Sequence, residues 1–403
     1  MPPPMPATSL HTIPIASRPP QSSIIRGTLY FISFNTACIL CNATQFALTP
    51  LLLIPFPVAK RWYEEGIRYT KGTFGILLVL MSQWFAPTSI ELTLEGDLKA
   101  EDIIIRDPKT GNVVELNLPS KHVMMGNHQV YADWLYLWCF DYYARTHKDV
   151  LIILKRSLKW IPLIGWGMQF FRFIFLARSW SADRVHLGKS LEREALRAQK
   201  SHNPFSLMIF PEGTLISPNT RPLSKKFADK MGISDLSHVL LPRSTGLLFV
   251  LRTLAPSVPS LKLVDVTIGY PGIDPASYGQ EYYTLRSIFM QGIPPPKVHI
   301  HLRIFDVARD IPIGDLSKTS GIGRGAEASE SEKQAFDLWL RERWTEKDRW
   351  MADFYRDGKF PSAKGSANIP LVLRSNLDVL NAYSFFVPVL IIRFGLKVKA
   401  WLF

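Results

Sequence analysis

Residues 121–138 read KHVMMGNHQVYADWLYLW, and a change of pattern inside this stretch sets the fold. HVMMGN is a short, nearly unbroken apolar run ending in Gly126 and Asn127, as in a strand buried on both faces. From Trp134 the apolar residues continue for longer than a strand needs, through WLYLWCFDYYART, and read as a helix. A buried strand that turns tightly into a helix is the repeating unit of an α/β fold. His128 stands at the strand's C-terminal edge, with Asp133 five residues on. Five residues along one helix rotate by about 500° and leave two side chains roughly 140° apart, so the pair meets only if His128 precedes the helix and Asp133 lies in its first turn. An aspartate so placed accepts the Nδ1 hydrogen, fixes the tautomer and leaves Nε2 free as a base. No Ser or Cys beside it forms an obvious nucleophile, so the base would act on a substrate hydroxyl. Read alone, the same spacing also describes a capping aspartate beside an ordinary loop histidine.

Outward from this turn the strand and helix patterns alternate. IELTLEG, DIIIRD and VVELN precede it as short strands; VLIILKR, LMIFPEG, HVLLPR, KLVDVTIGYP and KVHIHLRIFDVA follow as others, with DRVHLGKSLEREALRAQK as an amphipathic helix. The expectation is an α/β domain over residues 91–316, a mixed sheet flanked by helices. Residues 317–332 read as a flexible loop, in which GIGRG lacks the Lys-Ser/Thr ending and the preceding strand of a phosphate loop. Residues 333–360 read as an amphipathic helix packed on that domain through Phe336, Trp339, Leu340, Trp344, Met351, Phe354 and Tyr355.

The flanks are of another character. Residues 1–26 are rich in Pro, Ser and Thr and hold no acid, which suits a disordered tail. Between Arg26 and Lys60 there is no charged residue and no histidine, a span longer than the ~20 residues that cross a bilayer's hydrocarbon. Pro50, Pro55 and Pro57 suit either a broken hairpin dipping into one leaflet or one spanning helix with a loop behind it. A second uncharged stretch, residues 72–90, fits a further membrane helix or a buried one, so residues 27–90 are expected to be membrane-embedded. Residues 361–403 end in another apolar run among Arg393, Lys397 and Lys399 and are expected to associate with the membrane.

Composition narrows the partners. The 403 residues carry 47 Lys and Arg against 34 Asp and Glu, a net charge of +13, and 47% are apolar. That is enough to build a core, which excludes wholesale disorder. Three cysteines, Cys38, Cys41 and Cys139, exclude a small disulfide scaffold. The positive balance suits anionic lipid or nucleic acid; the uncharged spans favour lipid, and no nucleic acid partner is expected. Protein partners are not legible. Histidines at positions 186, 238, 299 and 301 have no metal-ligand spacing, so no metal is expected.

Further polar residues gather where strands end. In IFPEGT, residues 209–214, Pro211 breaks the strand, Gly213 permits a tight turn with exposed amides, and Thr214 adds a hydroxyl. Glu212 beside an anion site would pair with a cation or bind a substrate hydroxyl, with Arg178 of FIFLARSW as one candidate partner. Arg243 in LLPRSTG and Lys155 in ILKR give further cations near strand ends. Each alone reads as surface charge; together at one side of a sheet they favour an anionic ligand.

In combination these clusters resemble the glycerolipid acyltransferase family, the acylglycerol-phosphate and lysophospholipid acyltransferases. NHQVYADW matches its NHxxxxD motif, FLAR is similar to its second motif, FPEGT matches its third and LLPRSTG is similar to its fourth. The likeness runs over about residues 24–360, and LARSWSAD with LLPRSTG most resembles the branch of lysocardiolipin and lysophosphatidylinositol acyltransferases. Ala177 stands where that branch often carries Lys. The resemblance implies an acyl-CoA-dependent O-acyltransferase acting on lysophospholipids, with acyl-CoA as co-substrate and no bound cofactor. It implies His128 and Asp133 as the catalytic dyad, Arg178, Glu212, Gly213, Thr214, Arg243 and Lys155 as substrate-binding residues, and Asn127 and Pro211 in support. It further implies membrane lipids as partners and the endoplasmic reticulum membrane as the site, with mitochondria or lipid droplets as alternatives.

Overall fold

The computed structural model describes residues 10–21, 23–177, 179–316 and 328–384. Two long helices, α1 (Ile24–Leu48) and α2 (Pro57–Phe85), form an antiparallel hairpin. They lead into β1 (Ser89–Leu94), α3 (Ala100–Ile103), β2 (Ile104–Arg106), β3 (Val113–Leu116), β4 (Lys121–Gly126) and α4 (Asp133–Tyr143). Then come β5 (Val150–Lys155), α5 (Ile164–Phe170), β6 (Ile174–Leu176), α6 (Trp180–Lys200), β7 (Phe205–Ile209), α7 (Arg221–Met231) and α8 (Ser244–Leu254). The chain continues through β8 (Lys262–Gly269), β9 (Lys297–Asp306), α9 (Glu330–Asp357), β10 (Ser366–Pro370) and α10 (Asp378–Ala382).

Eight strands form one mixed sheet in the order β10-β1-β9-β8-β4-β7-β5-β6, and β2 pairs with β3 apart from it. The run β8-β4-β7-β5-β6 is parallel throughout, while β9 is antiparallel to β8. Val123, Met124, Met125, Leu207, Met208, Leu263, Val264 and Val266 are fully buried, as a parallel sheet covered on both faces requires. This is the α/β architecture expected from the alternating patterns.

One segment of the hairpin, 24–53, is long and apolar enough to cross a membrane, and its side chains are largely uncovered: Ile25, Leu29, Phe31, Ile32, Ile39 and Phe46 are exposed. The second uncharged stretch behaves differently. Residues 72–90 are the buried half of α2 plus the start of β1, so they belong to the protein core and do not extend that uncovered apolar segment. Gly75 makes this packing close, since a Cβ there would lie 2.9 Å from Trp138 Nε1.

Three other expectations are corrected. Residues 10–21, read as part of a disordered tail, form two short turns held by Arg18, whose Nη2 donates to the Tyr282 carbonyl at 2.6 Å. HVLLPR is no strand: the amides of Ser237, His238 and Val239 all donate to the Asp348 carboxylate of α9, which leaves none of them for a ladder. Residues 366–370, read as part of a membrane-associated tail, are the edge strand β10, with Ala367 and Ile369 buried by alternation against β1. The part of that tail from 385 to 403, and residues 317–327 of the expected flexible loop, lie outside the described residues.

Helix α9 starts at a capping box of Ser329 and Glu332 and ends at Gly358 in the left-handed conformation. It is fixed to the sheet by buried charge: Lys347 Nζ lies 2.6 Å from Asp265 Oδ1 in β8, and Arg303 Nε of β9 donates to Asp265 Oδ2 at 2.6 Å. This pairing sets which side chains of α9 reach the C-terminal ends of the strands.

Candidate active site

Because β8, β4, β7 and β5 run parallel, the residues that follow them emerge along one edge of the sheet. His128 follows β4, Phe210–Thr214 follow β7, Lys155 closes β5 and Tyr270 follows β8. Asp133 is the first residue of α4, the placement that the five-residue spacing demands. His128 Nδ1 donates to Asp133 Oδ2 at 2.7 Å, which leaves Nε2 without that carboxylate and the side chain 20% exposed. The ring also stacks on Phe210, centroids 4.4 Å apart at 20°.

Asp133 is fully buried and hydrogen-bonded at both oxygens. Oδ2 also accepts the Gln129 amide at 2.7 Å and the Val130 amide at 3.1 Å, while Oδ1 accepts the Tyr270 hydroxyl at 2.6 Å. Three of the four donors come from the turn itself and the fourth from the neighbouring strand end. A carboxylate held by four donors is fixed in place, so the imidazole it orients has one available rotamer and tautomer. Asn127 is the anchor beneath: its amide donates to the Ile268 carbonyl at 3.0 Å and accepts the Ile268 amide at 2.7 Å, tying the end of β4 to the end of β8.

The FPEGT turn lies beside the histidine, with the Ile216 amide donating to the His128 carbonyl at 3.1 Å. Gly213 adopts φ 72°, and its amide donates to Phe210 O at 2.9 Å, so that amide closes the turn and is not presented to a ligand. The Arg243 amide donates to Pro211 O at 2.8 Å, and the exposed Arg243 side chain crosses this turn in contact with Gly213. Thr214 is half-buried in the same turn. Glu212 points inward instead of toward a cation. It is buried, accepts the Trp344 Nε1 hydrogen at 3.3 Å and forms no ion pair among the described residues. Burial pushes its carboxyl up to about 8, against the lowering effect of the Trp344 indole and the His128 and Leu240 backbones.

Sequence reasoning therefore named residues that the structure brings together: His128 with Asp133, and Pro211 and Gly213 with Arg243. Lys155 is exposed on the same edge, two strands from β4. Arg178 lies outside the described residues. Tyr270, Phe210 and Trp344 were missed. Tyr270 had one legible signal, its position directly after a buried strand, but only the adjacency of β8 and β4 aims its hydroxyl at Asp133. The arrangement is an oriented, partly exposed base beside a cationic side chain, suited to taking a proton from a hydroxyl on an anionic substrate.

Residues 112–270 match the family model described as Acyltransferase. The chain is 36% identical over 328 residues to a 2-acyl-1-lysophosphatidylinositol acyltransferase of Saccharomyces cerevisiae, covering 74% of this chain and 77% of the relative. It is 32% identical over 360 residues to an uncharacterized acyltransferase of Schizosaccharomyces pombe, covering 89% and 93%. Over 308 residues it is 34% identical to a lysocardiolipin acyltransferase of Danio rerio, covering 76% and 66%.

Proposed function

Because the chain belongs to the glycerolipid acyltransferase family, we propose that it transfers a fatty acyl group from acyl-CoA to the free hydroxyl of a lysophospholipid at a membrane surface, with His128 as general base. The observation that carries this reading is the 2.7 Å bond between His128 Nδ1 and a buried Asp133 that has four donors. Nε2 removes the hydroxyl proton as the lipid oxygen attacks the thioester carbonyl. The C–O bond forms, the C–S bond breaks, and the departing thiolate recovers the proton from the imidazolium. Asp133 offsets the imidazolium charge while it lasts. No acyl-enzyme forms on this route. Arg243, exposed across the Gly213 turn, offers charge to the headgroup phosphate, and Thr214, Lys155 and Arg178 are assigned to the same role. Glu212 holds the turn from below, neutral at pH 7, through Trp344. The uncovered apolar face of α1 supports a membrane site, and we place the protein in the endoplasmic reticulum on family grounds.

The test is acyl transfer by the purified chain in nanodiscs. Labelled oleoyl-CoA is supplied with lysophosphatidylinositol, lysophosphatidate or monolysocardiolipin, and His128→Ala is run alongside. A fully acylated phospholipid from at least one acceptor, absent from the variant, supports the reading. Free fatty acid as the only product would replace it with a hydrolase, and lipid binding without turnover would replace it with a lipid-binding protein.

A further inference from the structure

A cavity of about 790 Å³ opens at the other end of the parallel strands. Its walls include the residues that precede β5 and β7, whereas the dyad follows β4. The five residues of β7, at about 3.3 Å each, put roughly 15 Å of sheet between the two ends. Eight lining residues are Lys or Arg and four are Asp or Glu, so the cavity has an excess of positive charge.

Its cations are not equally satisfied. Arg68 is paired with Asp149 through two bonds of 2.7 and 2.8 Å. Arg197 Nη1 donates to Glu194 Oε1 at 2.5 Å, while its Nη2 and that of Arg172 face each other across Glu64, whose Oε1 is 3.6 Å from each, beyond hydrogen-bond reach. Among the described residues Glu64 is the one carboxylate within 4 Å of the Arg172 guanidinium, with Glu194 acting on it from further off. The Arg172 backbone is held at φ 63°, a left-handed conformation that is uncommon for a residue with a side chain and that persists where the surroundings impose it. Burial and the neighbouring Arg197 guanidinium both act against its charged form, a strain that an anion would relieve. Lys71 closes the inner wall, buried and donating to the Val150 carbonyl at 2.9 Å. One side of the cavity is the first turns of α2, directly after the exposed apolar residues Leu52, Leu53 and Phe56; exposed Val58 lies in the first turn and exposed Trp62 between the lining residues Lys60 and Glu64.

We propose that this cavity binds the phosphate of an anionic phospholipid headgroup taken from the membrane surface, at a site separate from the catalytic edge, with Arg172 and Arg197 as its principal ligands. The proposal rests on the membrane-lipid reading above. A phosphate between the two guanidiniums would take the place of the Glu64 carboxylate and supply the short charge-assisted bonds that Glu64 does not make. The apolar turn beside it would hold the acyl chains at the bilayer boundary, so headgroup and chains are engaged together.

The test uses the full chain in neutral detergent, titrated with dioctanoylphosphatidic acid, dioctanoylphosphatidylcholine and inorganic phosphate, with binding followed by thermophoresis. Four proteins are compared: wild type, Arg172→Gln/Arg197→Gln, Lys148→Glu/Arg193→Glu, and Arg243→Gln. The wild type is expected to bind the phosphatidic acid at two sites. Both cavity pairs should weaken one site at least tenfold, and Arg243→Gln should leave that site intact. Phosphatidylcholine and inorganic phosphate should each bind it at least tenfold more weakly. The Lys148/Arg193 pair lies at exposed positions and decides the matter if the arginine pair does not fold. Wild-type binding in the cavity variants, or loss only in Arg243→Gln, overturns the proposal; equal binding of inorganic phosphate makes it a free-anion site and overturns the headgroup assignment. Cavity binding that persists in a chain without acyl transfer would overturn the proposed reaction and leave this site standing.

Discussion

Replacing Asp133 by asparagine separates orientation from charge at the dyad. Oδ2 faces three N–H donors, at 2.7, 2.7 and 3.1 Å, and Oδ1 faces the Tyr270 hydroxyl at 2.6 Å. In Asp133→Asn the amide oxygen must take the Oδ2 position, because turning the NH2 group toward three donors would leave each unpaired at about 1–3 kcal/mol apiece. The amide nitrogen then meets the Tyr270 hydroxyl, which rotates to accept. The turn survives, and the stability loss is that of a charged acceptor becoming neutral, about 1–2 kcal/mol. The kinetic cost is larger. Opposite charges about 4 Å apart interact by roughly 4 kcal/mol at the effective dielectric of a partly exposed site, and that term exists only while the imidazole is protonated. At about 1.36 kcal/mol per decade this is close to 10³-fold, inside the ~10²–10⁴-fold span of general-base help. The expected result is a kcat reduced about 10²–10³-fold with the KM for the lysophospholipid little changed, measured as CoA release in nanodiscs. A folded variant within tenfold of wild-type kcat would refute the argument that Asp133 acts through charge.

Other expectations follow from the same geometry. Tyr270→Phe removes one of the four donors to Asp133 and should lower stability by about 1–3 kcal/mol, with kcat falling less than in Asp133→Asn; equal losses in kcat would show that Tyr270 does more than position the carboxylate. Glu212 has its carboxyl raised from the ordinary 4.5 to about 8, so its protonated form is favoured by folding: stability is full below about pH 4.5 and is lost as pH rises toward 8. Melting curves of wild type should therefore fall relative to Glu212→Gln by up to roughly 5 kcal/mol across that window, and parallel pH profiles for the two proteins would contradict a buried neutral carboxyl. Trp344→Phe keeps the ring and loses the donor to Glu212; burial is then less opposed, and the pH at which the difference from the glutamine variant levels off should move upward while its onset stays put. Asp348→Ala frees three amides at residues 237–239 and should cost about 1–3 kcal/mol in chemical denaturation, since the segment has no ladder to fall back on.

The α/β rhythm, the buried strand before His128 and the family resemblance were legible because they depend on local periodicity and on residues close together in the chain. The His128–Asp133 contact belongs to the same class: five residues and one turn decide whether it can form. Elsewhere local pattern misled. An uncharged stretch reads alike whether lipid or protein covers it, and residues 72–90 proved to be core because α4 and its Trp138 lie against them. HVLLPR has strand composition, yet a carboxylate about 110 residues further along the chain takes its amides.

What tertiary structure alone decided is the surroundings of each named residue. Tyr270 reaches Asp133 from 137 residues away because β8 is hydrogen-bonded beside β4 and both end at the same edge. Trp344 reaches Glu212 from 132 residues away because Lys347, one turn further along α9, is fixed to Asp265, and this turned an expected substrate carboxylate into a buried one. Arg172, Arg197 and Glu64 are unremarkable in sequence and form one cavity only because α2, α6 and the turn before β6 converge at the far end of the sheet. Sequence determined which chemistry stands at the strand ends, since that is a matter of residue type and short spacing. The fold decided which partners fix, bury or neutralise it, because strand order and helix docking set distances that no local pattern encodes.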